Sequence, residues 1–343
     1  MSISTENKNR IVTYLLEKIA QGEEGAVRKT AENFDLTVAS VYKYINTLIK
    51  DGKIVRTGRD KYGLVSEVRQ VVLSRRRGEL VSEETIYNKY VDPELTGLSE
   101  NVVRRWSYIV NEMINNVIDH SQANRLAISV SRNVFETTVI LADDGVGIFN
   151  KIKTAFHLES LSEAVAELFK GKVTTDAKNH SGEGIFFSSR MADEFAVISS
   201  GLIFTHNSFD EEKLIKIKDA NKLFDFDKGT LFFIKISNRS KKTAKEVFDR
   251  FTDSDYAFAK TLIPVKDYFN GIPVSRSQAK RLCSGLEKFK TIEFDFSGLD
   301  MMGQGFADQV FRVFANEHPG LELTPLNMSE EVFKMFRHVT AER

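Results

Sequence analysis

The chain has 343 residues, 42% hydrophobic and 28% charged, which is ordinary for a soluble globular protein of two or three domains. No apolar run approaches the ~18 residues that cross a bilayer, the polar Met1 to Arg10 lacks a signal peptide's apolar stretch, and the single Cys283 excludes an internal disulfide framework; the expected compartment is cytoplasmic, with no membrane partner. Lys and Arg balance Asp and Glu overall, but residues 1–77 hold 15 Lys/Arg against 9 Asp/Glu, a net of +6, which points to a polyanion partner for that part alone.

Residues 6–65 read as three helices and a hairpin. Ile11, Leu15, Leu16 and Ile19 share one face of the first helix, and Glu23 to Asn33 forms a second with Ala26, Val27 and Ala31 inward. Phe34-Asp35-Leu36 turns the chain, Thr37 caps a third helix over Val38 to Lys50, and Asp51-Gly52 stops it. Ile54-Val55-Arg56 and Tyr62 to Val65 alternate across the turn Gly58 to Lys61 as a hairpin. That order is a winged helix-turn-helix over residues 1–66. Its third helix would offer Ser40, Lys43, Tyr44 and Thr47 to the major groove of double-stranded DNA, with Arg56, Arg59 and Lys61 on phosphates. Docking to a protein is the alternative use of the same module.

Residues 67–78, with the run Arg75-Arg76-Arg77, read as a helical or mixed linker. Residues 79–237 then alternate. Ser82 to Tyr90, Ser99 to Ser121 and Glu183 to Asp193 are expected as helices; Arg125 to Arg132, Phe135 to Ala142, Phe195 to Ser199, Leu202 to His206, Lys213 to Lys218 and Thr230 to Ser237 are expected as strands. Phe149 to Ser181 has no single period and reads as a lid around a short helix at Leu161 to Phe169. Helices on one side of a mixed or antiparallel sheet predict a two-layer α/β sandwich. Residues 238–255 read as a charged linker ending in a helix, and residues 256–343 as a smaller α/β module with strands at Thr291 to Phe296 and Leu321 to Pro325 and helices at Ser275 to Phe289, Gly303 to Asn316 and Ser329 to His338. The fold class is α+β, multidomain.

Three short stretches carry chemistry. In Asn111 to His120, residues four apart share a helical face, so Glu112, Asn116 and either Asp119 or His120 project together. An Asn oxygen is a hard, neutral ligand suited to one Mg²⁺ position, and a Glu one turn earlier can accept a proton from an attacking water or hydroxyl. Asp143-Asp144-Gly145-Val146-Gly147 turns tightly off a strand; its glycines let the backbone approach a flat ring, and a buried Asp there can accept from an adenine amino group. His180-Ser181-Gly182-Glu183-Gly184 opens a helix whose first N–H groups suit phosphate oxygens. Thr230 follows Gly229 where a hydroxyl could support the Asp through water. No G-x-x-x-x-G-K-[ST] occurs, so a P-loop is excluded.

Together, Glu112, Asn116 and His120, Asp143-x-Gly145-x-Gly147, Gly182-x-Gly184 and Gly229-Thr230 resemble the ordered motifs of the GHKL ATPase superfamily (the Bergerat fold), with anti-sigma-factor serine kinases among its members. The resemblance covers roughly residues 80–237. It implies ATP and Mg²⁺ as cofactors, Asn116 as the metal ligand, Asp143 as the adenine contact, and a nucleotide site of Asn116, Asp119, His120, Asp143, Gly145, Gly147, His180, Gly182, Gly184 and Thr230. Glu112 matches the general base of the hydrolytic and serine-kinase branches. Residues 256–343 resemble a STAS-like domain of the DUF4325 type, except that the loop Asp300 to Gly305 lacks the hydroxyl of phosphorylatable relatives. The whole is similar to an uncharacterised bacterial family joining the three modules. The resemblance implies a DNA-binding regulator that hydrolyses ATP and couples its Mg-ATP state to partner or DNA binding; the alternative is a serine/threonine protein kinase acting by partner switching. A protein partner at the STAS-like domain and a second copy of the chain are the further partners it implies.

Overall fold

The computed structural model describes residues 4–173, 182–206, 228–269 and 271–341. It is a mixed α/β protein with several sheets. Helices α1 (Thr5–Ala20), α2 (Ala26–Asn33) and α3 (Val38–Lys50) precede an antiparallel hairpin of β1 (Ile54–Gly58) and β2 (Lys61–Leu64). Leu15, Leu16, Val41, Ile45, Leu48 and Ile54 are among the residues that close a core of their own. Thr37 caps α3, its hydroxyl accepting from Ser40 N at 3.2 Å.

The central sheet comprises β3 (Glu67–Ser74), β4 (Arg125–Arg132), β5 (Glu136–Asp143), β6 (Glu194–Ser199), β7 (Leu202–Thr205) and β8 (Leu231–Ser237). Its order is β3-β4-β5-β8-β6-β7, with every neighbouring pair antiparallel. The expectation of a helical or mixed linker at 67–78 is corrected: its first eight residues are β3, paired with β4 from Glu67↔Arg132 to Ser74↔Arg125. Leu73 is buried and Val71 packs on the same core, while Glu67, Arg69 and Gln70 stay exposed. Those polar residues suit a strand at the sheet's edge. The strand expected at Lys213 to Lys218 lies outside the described residues.

Helix α4 (Glu83–Tyr90) and helix α5 (Glu100–Asn115) share one core with the sheet. Two helices, α6 (Ile148–Ala155) and α7 (Leu161–Lys170), occupy the described part of the expected lid, and α8 (Gly184–Met191) follows it. The inward stripe of α5, including Val102, Trp106, Ile109, Val110, Met113 and Ile114, is fully buried, as its 3- and 4-residue spacing requires. Arg105 on that helix is also fully buried. Its Nε donates to the Met191 carbonyl at 2.8 Å, Nη1 to Ser240 Oγ at 2.6 Å and Nη2 to Asp193 Oδ1 at 2.8 Å; Asp193 Oδ2 in turn accepts from Ser237 N at 2.7 Å. One guanidinium thus fastens α5 to the ends of α8 and β8.

The C-terminal module follows α9 (Ala244–Phe251), which opens with a capping box at Thr243 and Glu246. A parallel sheet of order β11-β10-β9 combines β9 (Lys260–Pro264), β10 (Thr291–Asp295) and β11 (Glu322–Leu326) with helices α10 (Val265–Phe269), α11 (Arg276–Cys283), α12 (Gln304–Asp308) and α13 (Glu330–Thr340). The sequence reading did not anticipate β9, and the helix expected from Ser275 to Phe289 stops at Cys283. Among the described residues, no helix is long and apolar enough to cross a membrane. Arg105→Ala should lower the stability of the chain by about 3 kcal/mol, because it removes a fully buried side chain together with its ion pair to Asp193 and its hydrogen bond to the Met191 carbonyl. Denaturant midpoints check this, and an unchanged midpoint would contradict it.

Candidate functional site

A cavity of about 280 Å³ opens between α5, the end of β5, α6, α7 and the start of α8. Strand alternation sets its floor. Val139 and Leu141 of β5 belong to the core beneath the helices, and Asp143, two residues on, faces the same way and is 3% exposed. Thr230 stands two residues before the core residue Phe232, on the same face. Asp143 N donates to the Thr230 carbonyl at 2.9 Å, and the Thr230 hydroxyl accepts from Ile148 N at 3.0 Å.

The turn after β5 needs its glycines for close approach. A Cβ on Gly145 would strike the Ser121 carbonyl, and one on Gly229, at φ +83°, would strike the Asp143 carbonyl. Gly145 N donates to Asp143 Oδ1 at 2.7 Å, while the buried Oδ2 has no hydrogen-bond partner among the described residues. Burial pushes the Asp143 carboxyl up to about 6, helped by the charge of Asp144 and opposed by the Gly145 N–H and, more weakly, by the backbone and hydroxyl of Thr230 nearby. Asp144 is its opposite. Burial raises it too, but Arg125 Nε at 2.9 Å and the N–H groups of Arg125 and Asn124, both at 2.8 Å, outweigh that and hold its carboxyl below the ordinary value. One carboxylate anchors the turn; its neighbour faces the cavity.

Helix α5 supplies the opposite wall. Glu112 and Asn116 line the cavity one turn apart, and His120 lines it one turn further. Beyond Asn115 the helix opens into a wider turn over Asn116–His120. That turn leaves Asp119 exposed and off the cavity wall. At the far side, a Cβ on Gly184 would strike Glu112 Oε2, so this glycine lets the carboxylate lie against the start of α8. Tyr108 is raised by burial and then by the charges of Glu112 and Glu183.

Of the residues expected in the site, Glu112, Asn116, His120, Asp143, Gly147, Gly182, Gly184 and Thr230 line the cavity. Gly145 stands behind it as a donor to Asp143, Asp119 faces solvent, and His180 lies outside the described residues. Sequence reasoning missed Lys151, which lines the cavity and whose Nζ donates to the His120 carbonyl at 2.8 Å. Its position one turn into the helix that Gly147 opens was the available signal. The roof residues Leu168, Gly171 and Val173 were also missed. Among the described residues, no group of three or more His, Cys, Asp or Glu could hold a metal.

At the N-terminal module, Lys43, Thr47, Arg56, Arg59 and Lys61 are exposed. Ser40 and Tyr44 are half-buried, Tyr44 packing on the module's core. Lys61 Nζ lies 2.9 Å from Glu24 Oε1, so among the basic residues expected to contact DNA, Lys43, Arg56 and Arg59 are the ones without an ion pair among the described residues. At the other end, α11, β10, α12, β11 and α13 follow one another around the parallel sheet. Residues 278–333 match a STAS-like domain of unknown function (DUF4325). No curated protein matches the chain. In the STAS-like domain the loop Asp300 to Gly305 carries no side-chain hydroxyl, and Met301 in it is exposed.

Asp143 generates a pH signature. Its native carboxyl titrates near 6 and its unfolded one near the ordinary 3.8. The native state therefore holds the extra proton between those values, and stability falls as pH rises from about 4 to about 6, by roughly 2–3 kcal/mol. Asp143→Asn removes that loss. Its stability relative to wild type should climb by that amount between pH 4 and pH 7 in urea titrations, and a difference independent of pH would contradict the buried carboxyl.

Proposed function

We propose that the chain is an ATP-binding, ATP-hydrolysing regulatory protein that couples its Mg-ATP state to the binding of double-stranded DNA or a protein partner. Residues 79–237 act as a GHKL-type nucleotide domain and residues 1–66 as a winged helix. The observation that carries this reading is Asp143 Oδ2, a buried acceptor without a partner among the described residues, at the edge of a cavity whose glycines admit a flat ligand. Such an atom calls for a donor on the ligand, which the adenine amino group supplies. Across the cavity, the backbone at Gly182 and Gly184 faces the phosphates, Asn116 holds Mg²⁺ jointly with them, and Glu112 accepts the proton of an attacking water. Lys43, Arg56 and Arg59 support phosphate contacts by the N-terminal module.

Gly145 N holds an oxygen at the Oδ1 position, so Asp143→Asn turns its NH₂ toward the ligand's amino group, donor against donor. A fluorescent ATP analogue with Mg²⁺ should bind the wild-type chain and lose at least about tenfold in affinity to Asp143→Asn; equal affinities would sink the assignment. Glu112→Ala should retain binding and lose turnover. With γ-labelled ATP, free phosphate is the expected product, and label on protein would favour the partner-switching kinase instead. If DNA is the N-terminal ligand, replacing Lys43, Arg56 and Arg59 by Ala should weaken binding to any duplex and flatten the log–log salt dependence by about 2–3. A salt slope unchanged from wild type would point to protein docking.

A further inference from the structure

We propose that the C-terminal module is a brace for the cavity's roof, holding residues 161–173 in place, so that ligand exchange at the cavity and seating of the STAS-like domain are coupled; the coupling rests on the nucleotide reading above. The roof has two sides. Leu168, Gly171 and Val173 line the cavity, and the same segment is pinned from behind by the C-terminal module.

Lys170 makes the central contact. It is 1% exposed, and its Nζ donates to Glu167 Oε1 at 2.6 Å and to the carbonyls of Arg281 and Ser284 at 2.9 and 3.0 Å. These carbonyls close the C-terminal end of α11, where a helix presents partial negative charge. All three ammonium donors are thus satisfied, one within the roof and two across the boundary. The Lys170 carbonyl accepts in return from Thr261 Oγ1 of β9 at 2.7 Å. Arg281 Nη1 lies 3.0 Å from Glu163 Oε1 on α7, and Lys172 and Lys288 each donate to the other's carbonyl, at 3.2 and 3.0 Å.

The turn that these bonds hold is one an unsupported chain would not favour. Lys172 has a positive φ of +52°, uncommon for a residue other than glycine, directly after Gly171 at +78°. A Cβ on Gly171 would lie 2.7 Å from Phe186 and 2.9 Å from Phe258, so this glycine of the roof packs directly against both rings. Phe186 itself lines the cavity, and its ring centroid is 4.5 Å from that of Phe258. A ligand that reshapes the roof must therefore act on the brace. By linkage, anything that unseats the brace changes the ligand's affinity in the same measure.

Two readouts on the full chain test this, using Thr261→Val, which removes one cross-boundary hydroxyl at constant shape, and the charge swap Glu163→Arg with Arg281→Glu. Without ligand, amide hydrogen exchange over residues 161–173 should accelerate about three- to tenfold in Thr261→Val and in each single charge reversal, stay unchanged in β4 and β5, and return toward wild type when the two reversals are combined. Release of N-methylanthraniloyl-ATP should accelerate by a similar factor in the same variants. Unaltered exchange of the roof overturns the brace, whether or not the analogue binds. A loosened roof with an unaltered release rate overturns the coupling. A wild-type chain that fails to bind the analogue overturns the nucleotide reading and the coupling with it, while the exchange data still decide the brace.

Discussion

A carboxylate carried into a protein interior must find donors or give up its charge, and Asp143 is held between those outcomes. The two-residue period of β5 sends it into the core, Gly145 N occupies one oxygen, and the other faces the cavity. The surrounding chain depends on that placement. Gly145 must be glycine to pass the Ser121 carbonyl, Gly229 must be glycine to pass the Asp143 carbonyl, and Asp144 must tie the turn to Arg125 so that its neighbour is free to face inward.

Helix α5 meets this floor with Glu112, Asn116 and His120 on one face, and its register is set by apolar burial on the other and by Arg105. The end modules attach at separate points of the same central layer. Val134 and Phe135, between β4 and β5, pack against the N-terminal core. The C-terminal module attaches to the roof through Lys170 and Thr261. The proposed regulator thus has its basic module at one end of the β4–β5 hairpin and its ligand-facing Asp143 at the other.

Much of the arrangement was legible because local signals agreed with burial. Helix α3 runs from Val38 to Lys50, where Thr37 and Asp51-Gly52 place its ends, and the Asp143 turn and Gly182–Gly184 turn meet around one cavity. Failures have particular causes. Strand β3 was obscured because an edge strand exposes Arg69 and Gln70 and runs into Arg75-Arg76-Arg77, so charge outweighed alternation. Asp119 could not be told from His120 because the widened turn at Asn116–His120 departs from the 3.6-residue period. Nothing in the local sequence marks Lys170 for burial; the carbonyls of Arg281 and Ser284 that receive it are more than 100 residues away. Long-range partners of that kind leave no mark on the local pattern.

The central claim is that Asp143 Oδ2 accepts a hydrogen bond from the six-position amino group of a bound purine. Calorimetric titration of the wild-type chain with Mg-ATP and with Mg-ITP, which carries a carbonyl oxygen at that position, tests it most directly. An acceptor set against an acceptor in a buried site should weaken ITP by at least about tenfold relative to ATP. Equal affinities for the two nucleotides would contradict the account.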